Sequence, residues 1–211
     1  MCCQTGDRSI SNTPTPPNTP AVLSPPWDRF LAEVDAQLQR QVTLHSIGGF
    51  VLTTLYGLPR TTDDLDYISV LPPDAYAAID EIAGPGSRLA KHYKVSIHSA
   101  GAVVDLPDDY ESRLQVIPLP FRQLHIAVPD PYDLALSKLT RNSPKDREDV
   151  RFLAARCQLS FRTLVDRFNS EMDWIPNAER HQTTLDVVWR DLGCWVDVVD
   201  GSLSDRDQLD R

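Results

Sequence analysis

The sequence predicts an α+β fold of an α/β-like kind, in which a small mixed sheet is flanked by helices and followed by a helical bundle. Apolar residues recur at helical spacing from Trp27 to Gln41. Short apolar and β-branched runs then alternate with turn residues as far as Val128, which is typical of strands. From Asp130 onward the pattern is helical. Four parts are expected: a Pro-rich disordered tail at 1–26, a core at 27–128, a helical region packed on the core at 129–199 and a flexible tail at 200–211.

The first half of the core is expected to alternate helices and strands. The apolar face of its opening helix consists of Phe30, Leu31, Val34 and Leu38. Apolar residues around the pair Gly48-Gly49 predict a strand, a tight turn and a helix that begins near Phe50. A β-branched run after Asp64 predicts a second strand. A proline-initiated helix over 72–82 follows and ends at a glycine-rich break.

The second half of the core is expected to contain one short helix, at 87–92, and several short strands. The strands are predicted at 95–98, 102–105, 114–117 and 124–128. The helical region is expected to contain four helices, at 131–141, 144–157, 160–171 and 178–196. This order of elements places a sheet before a group of helices, as the predicted fold class requires.

Two carboxylates at the start of the second strand are candidates for a metal site. Side chains two residues apart on a strand share a face, so Asp64 and Asp66 are expected to point the same way. Two neighbouring carboxylates repel each other unless a cation lies between them. Mg²⁺ favours one or two carboxylates together with nucleotide phosphates. Aspartates at a strand start also often serve only to end the strand in solvent, so the pattern alone leaves both interpretations open.

The glycine pair that precedes this strand is a candidate phosphate site. Gly48 and Gly49 lie where a predicted strand turns into a predicted helix. Glycine permits a positive φ and a close approach of the backbone to a ligand, and amides at a helix N-terminus bind phosphate. Most glycine pairs are ordinary turns. A pair that opens a helix leading back to an Asp-x-Asp strand is a more specific signal.

These features occur in an order that resembles the nucleotidyltransferase (DNA polymerase β-like) superfamily, whose motif joins Gly-Gly through a spacer to an Asp-x-Asp strand. The spacer here covers residues 50–63 and is slightly longer than in that motif. The corner Arg60-Thr61-Thr62 is similar to the small bacterial branch of abortive-infection and type IV toxin-like nucleotidyltransferases. That branch also has a Lys-bearing helix and an Asp-rich helix start, which this chain supplies at 130–139 and 143–150. The resemblance covers roughly residues 42–155.

The resemblance implies an Mg²⁺- or Mn²⁺-dependent enzyme that transfers NMP from an NTP to a hydroxyl of RNA or protein. It also implies a role as the toxin of a toxin–antitoxin or phage-defence pair, with an antitoxin protein as partner. The implied metal ligands are Asp64, Asp66 and, as a candidate third carboxylate, Asp105. The implied nucleotide and phosphate contacts are Gly48, Gly49, Arg60, Thr62 and Lys138. The implied catalytic residues are Asp64, Asp66, Lys138 and Asp146.

Three of these residues also have simpler interpretations from the sequence itself. Lys138 stands off the apolar stripe of its helix, where a lysine is usually solvated. Asp146 falls at the third helical position after Ser143, where an acid favours the helix dipole. Asp105 ends a predicted strand and is favoured as an ordinary strand-end residue. The resemblance raises Lys138 to a candidate site residue. Asp146 is raised by the resemblance and also because it leans towards the buried face of its helix, on the side of Leu153 and Cys157.

Composition and charge exclude several classes of function. The formal net charge of −9 argues against a general nucleic-acid binder, although the segment 138–167 is rich in Lys and Arg. No apolar run is long enough to span a membrane. The four cysteines and five histidines have no zinc-ligand spacing. A reduced, cytoplasmic protein without a secretion signal is therefore expected.

A second class of function stays open at this point. A non-catalytic relative could keep the fold and bind only a nucleotide or a partner protein. The long spacer and the uncertain third carboxylate motivate this alternative. A third, weaker hypothesis is a protein-interaction module whose acidic C-terminal helices mimic nucleic acid.

Overall fold

The computed structural model describes residues 23–100 and 104–176, together with Leu185 and Arg190. The strands are β1 (Val42–Ile47), β2 (Asp64–Leu71), β3 (Ser96–Ser99), β4 (Gln115–Val116) and β5 (Leu124–Val128). The α-helices are α1 (Trp27–Gln37), α2 (Gly48–Leu55), α3 (Tyr76–Ala83), α4 (Arg88–Tyr93), α5 (Pro131–Arg141), α6 (Pro144–Cys157) and α7 (Phe161–Glu171). Short 3₁₀ turns lie at Pro73–Ala75 and Tyr110–Arg113.

The five strands form one mixed sheet in the order β3-β2-β1-β5-β4. β2 runs antiparallel to β1 and parallel to β3, while β1 runs parallel to β5. Strands and helices share one apolar core, in which Phe30, Phe50 and Phe168 are among the largest fully buried side chains. The predicted α+β class is confirmed, because a mixed sheet is flanked by helices that precede and follow it.

Most predicted elements are present with shifted ends. α1 ends at Gln37 rather than Gln41, because Leu38 is already extended. α2 begins at Gly48 itself rather than near Phe50. The strand predicted over 114–117 shortens to two residues. These differences move element boundaries and leave the order of the elements unchanged.

Two predicted elements have a different outcome. Val104 and Asp105 lie in irregular chain, so the predicted strand over 102–105 is wrong for its described half, and residues 101–103 lie outside the described parts. The helix predicted over 178–196 also lies outside them, apart from Leu185 and Arg190, which are helical. The two predicted tails fall outside as well, except for residues 23–26 of the first. None of the helices within the described parts is both long and apolar enough to span a bilayer.

Two helix starts are fixed by their sequence, and both matter for the site. At the start of α5, the Asp130 carboxylate accepts a hydrogen bond from the amide of Asp133. At the start of α6, Ser143 and Asp146 cap each other reciprocally. Asn142 lies between the two helices and adopts the left-handed conformation. This tight connection makes α5 and α6 packed neighbours.

Candidate functional site

The glycine pair brings backbone against the carboxylate of Asp66. The last residue of β1, Ile47, pairs with Asp66 on β2, so α2 begins directly beside that carboxylate. Gly48 has φ +82°, and a Cβ placed there would lie only 2.7 Å from Asp66 Oδ2. A Cβ on Gly49 would lie 3.1 Å from Thr62 Oγ1. Both glycines therefore permit a close approach that a side chain would obstruct.

Asp64 and Asp66 occupy one face of β2, as the alternation predicts. Leu65 and Tyr67, on the opposite face, are buried in the core. Thr62 Oγ1 donates a hydrogen bond to Asp64 Oδ1 over 2.6 Å, which orients this carboxylate. Burial raises the pKa of the Asp66 carboxyl, and the adjacent Asp64 raises it further, while nearby basic side chains offset only part of the rise. The pair is thus electrostatically unfavourable by itself.

A central cavity of about 270 Å³ opens onto these carboxylates. Its polar lining consists of Gly48, Gly49, Arg60, Asp64, Asp66, Ser137, Lys138, Arg141, Lys145 and Asp149. Its four cations and three carboxylates come from one loop, one strand and two helices that are distant in sequence. The cavity therefore brings the glycine turn, the Asp-x-Asp strand and the lysine helix together.

Lys138 is held in the wall of the central cavity by a buried carboxylate. Its Nζ lies 2.8 Å from Asp149 Oδ2, and only 6% of the lysine side chain is exposed. Asp149 also accepts two hydrogen bonds from the guanidinium of Arg60. The same carboxylate thus joins α5, α6 and the loop before β2. The expectation of a solvated lysine is wrong, because its partner comes from the following helix and not from its own.

Asp146 lies behind the cavity wall rather than in it. Its carboxylate accepts hydrogen bonds from Arg141 Nε (2.8 Å) and from the backbone and hydroxyl of Ser143. Lys138 Nζ is 3.7 Å away. Although burial acts to raise its pKa, the hydrogen bonds from Arg141 and Ser143 lower the pKa of Asp146 to about 2. Both sequence interpretations meet here, because Asp146 caps α6 and also fixes a cation of the cavity.

Asp105, like Thr62 and Asp146, does not line the central cavity. Its neighbour Val104 contributes to the lining, but Asp105 does not. Across the described parts of the chain, no group of three or more His, Cys, Asp or Glu side chains is arranged to hold a metal. Asp64 and Asp66 fit Mg²⁺ as a two-carboxylate set of hard oxygen ligands, which leaves the other coordination positions to phosphate and water.

Sequence reasoning missed Asp149 and gave Arg141 and Lys145 no individual role. Asp149 follows Asp146 by three residues, so the two share a face of α6. That spacing is a usable signal that Asp149 lies beside Asp146. The predicted basic segment does adjoin the site, because its first three cations, Lys138, Arg141 and Lys145, line the central cavity.

A second network of buried and partly buried charges anchors α5 at its other end. Arg113 pairs with Asp133 and Glu171, and Arg167 pairs with Asp130 and Asp133. Its five members come from the 3₁₀ turn, the start of α5 and the end of α7. Each carboxylate has an arginine partner, so the network serves to hold the lysine helix in place.

Comparison with known proteins agrees with this geometry. A family described as a nucleotidyltransferase of unknown function (DUF6036) matches residues 28–193. No curated protein and no solved structure matches the chain. Because the match spans most of the sequence, the chain belongs to that nucleotidyltransferase family.

Proposed function

We propose, from membership of this nucleotidyltransferase family, that the chain is an Mg²⁺-dependent enzyme that transfers NMP from an NTP to a hydroxyl of RNA or protein. The observation that carries the proposal is the close approach of Gly48 to Asp66 in a cavity that Lys138 also lines. A candidate phosphate site at the glycine pair, a carboxylate pair and a lysine thus line one cavity. Catalysis of phosphoryl transfer relies on such positioning and on electrostatic stabilisation.

The metal would be held by Asp64 and Asp66. Mg²⁺, or Mn²⁺, supplies a Lewis acid that neutralises charge on the phosphates when it is bound. Thr62 orients Asp64 through its hydroxyl, so one carboxylate oxygen stays free for this role. The raised pKa of Asp66 is consistent with a carboxylate pair that a cation stabilises.

The cations of the central cavity bind and orient the triphosphate. The backbone amides of Gly48 and Gly49, at the start of α2, donate hydrogen bonds to phosphate oxygens. Lys138, Arg141 and Lys145 line the same cavity and neutralise charge that grows on the leaving pyrophosphate. Arg60 links the loop before β2 to α6 through its hydrogen bonds to Asp149. This link fixes the position of the carboxylate strand relative to the lysine helix.

Asp146 acts by holding Arg141 and not by accepting a proton. Its carboxylate is 1% exposed and is already occupied by Arg141 and Ser143. A carboxyl with a pKa of about 2 is also a weak base at neutral pH. We therefore assign Asp146 to the support of the phosphate-binding cations.

The test is transfer of label from an α-³²P-NTP to RNA or protein by the purified full chain. Transfer is expected with Mg²⁺ or Mn²⁺ and is expected to stop with EDTA. Asp66→Asn should abolish it, whereas Asp166→Asn, an exposed aspartate of α7, should leave it unchanged. Full transfer by Asp66→Asn would refute the role of this carboxylate pair.

One observation favours a second candidate, a non-catalytic nucleotide-binding relative. Arg60, Lys138 and Arg141 are all engaged by the buried carboxylates Asp149 and Asp146, so a triphosphate must compete for them. Calorimetry of NTP binding with and without Mg²⁺ separates the two candidates, because a catalytic site requires metal-dependent affinity. The role as a toxin with an antitoxin partner stays a prediction, tested by growth arrest on expression of the wild type but not of Asp66→Asn.

A further inference from the structure

Asp64 also lines a second, larger cavity. This edge cavity, of about 580 Å³, is lined by Asp63, Asp64, Lys91, Lys94, Ser96 and His98 together with small and apolar residues. Asp64 lines both cavities, whereas Asp66 lines only the central one, so the two cavities meet at Asp64. The proposed function uses only the central cavity and leaves the edge cavity without a ligand.

Strand β3 places polar side chains of the edge cavity in line with the carboxylates. β3 runs parallel to β2 and pairs Ser96 with Asp64 and His98 with Asp66. Residues paired across a sheet present their side chains on the same face, so all four share one surface. Ser96 Oγ and His98 Nε2 are 2.7 Å apart and fix each other's orientation. β3 is the outer strand of the described sheet, and the half-buried Ser96 and His98 line the edge cavity.

The charge of the surrounding segment is opposite to that of the whole chain. Between Glu81 and Asp105 the sequence contains no Asp or Glu, but it contains Arg88, Lys91 and Lys94. All three are exposed, and none of them takes part in an ion pair within the described ranges. In a chain of net charge −9, such an unpaired row of cations indicates an anionic ligand.

We propose that the edge cavity binds the acceptor and that the acceptor is a single-stranded RNA end, with its phosphates on Lys91 and Lys94. This inference rests on the proposed function. Attacking and leaving oxygens lie roughly in line in phosphoryl transfer, so the acceptor enters opposite the pyrophosphate. The pyrophosphate is assigned to the cations of the central cavity, so the acceptor is assigned to the other cavity that Asp64 lines, the edge cavity.

The transfer forms one bond at the α-phosphorus and breaks another. The terminal hydroxyl oxygen of the RNA forms a bond to the α-phosphorus of the NTP. The bond from that phosphorus to the bridging oxygen of the β-phosphate breaks, pyrophosphate leaves, and the hydroxyl proton passes to water. A protein acceptor would present a neutral hydroxyl, whereas RNA carries one negative charge per nucleotide, which fits a row of lysines.

The test uses the double variant Lys91→Gln/Lys94→Gln, which removes two charges and keeps the side-chain length. Because Lys94 is left-handed, with φ +62°, replacement by another side chain leaves the backbone requirement unchanged. The matched control is Arg156→Gln/Arg162→Gln, which removes two exposed charges from α6 and α7, away from both cavities. Binding of a fluorescent single-stranded RNA is measured by anisotropy, without nucleotide or metal, over a range of salt concentrations.

The Lys91→Gln/Lys94→Gln variant should bind the RNA at least about fivefold more weakly than wild type. Its slope of log K against log salt concentration should be shallower by roughly 1.4. The control variant should bind RNA as wild type does. The Lys91→Gln/Lys94→Gln variant should keep the wild-type affinity for Mg²⁺-NTP. The proposal would be overturned if the Lys91→Gln/Lys94→Gln variant kept the RNA affinity and salt slope of wild type. It would also be overturned if that variant transferred the nucleotide to protein at the wild-type rate. If the wild type did not bind NTP, the proposed function would instead be refuted. The RNA titration would then still test the edge cavity as an RNA site.

Discussion

Lys138 and Asp149 form an ion pair in which both side chains are almost fully buried, with 2.8 Å between Nζ and Oδ2. Asp149 also holds Arg60, which comes from the loop before the carboxylate strand. One aspartate therefore fixes two cations of the central cavity. Removal of one partner from such a group leaves charge buried without compensation, which is usually more costly than the pair itself is stabilising.

Asp149→Asn should therefore destabilise the protein and also weaken nucleotide binding. The variant keeps the shape but leaves Lys138 and Arg60 without their shared anion, at an expected cost of about 3 kcal/mol in the free energy of unfolding. Urea denaturation measures this cost. Asp166→Asn is the matched control, because its exposed pair with Arg162 at 3.7 Å should contribute less than about 1 kcal/mol. Equal losses in the two variants would show that Asp149 is energetically an ordinary surface acid.

Lys138→Met should lower the affinity for Mg²⁺-NTP by about tenfold or more, because the ammonium that faces the phosphates is lost while the buried stem is retained. Some stability should be lost too, since among the described residues Asp149 then keeps Arg60 as its one remaining partner. Isothermal titration gives the affinity. Lys91→Met removes a charge from the edge cavity and should leave NTP affinity unchanged. An unchanged affinity in Lys138→Met would remove this lysine from the phosphate site.

The sequence predicts those parts of the site that depend on local periodicity. The shared face of Asp64 and Asp66 follows from the two-residue repeat of a strand, and the cap of α6 follows from Ser143-Pro144 and the later acid. The pair between Arg60 and Asp149 spans 89 residues, and no local pattern encodes it. The burial of Lys138 depends on Asp149 of the next helix, 11 residues away, so the periodicity of α5 alone does not predict it.

Gly48→Ala should disrupt the site more than the same change at another left-handed glycine. Gly48 and Gly57 have similar φ values, +82° and +77°, so alanine should cost roughly 1–2 kcal/mol at either from backbone strain. Only at Gly48 would the new Cβ meet a neighbour, Asp66 Oδ2 at 2.7 Å, whereas Gly57 faces open space. Gly48→Ala should thus show a larger loss of unfolding free energy and weaker Mg²⁺-dependent NTP binding. Identical behaviour of the two variants would show that the approach to Asp66 is unimportant.

Asp146→Asn should be less stable than wild type at neutral pH, and this difference should shrink in acid. The folded protein holds the pKa of Asp146 at about 2, below its usual 3.8, so the ionised form stabilises the fold. This contribution, about 2 kcal/mol, is fully present above pH 4 and is lost as pH falls towards 2. Urea denaturation of both proteins between pH 3 and 7 should show the gap in unfolding free energy narrowing below about pH 4.

The same variant separates the two roles considered for Asp146. As a support for Arg141, the carboxylate stays ionised from pH 5 to 8, so Asp146→Asn should lower the rate of transfer by a similar factor at every pH in that range. As a proton acceptor, its replacement would remove a rising limb from the pH–rate profile. Asp166→Asn should follow wild type throughout. A pH-dependent difference between wild type and Asp146→Asn above pH 5 would contradict the supporting role and return this carboxylate to the chemistry of the reaction.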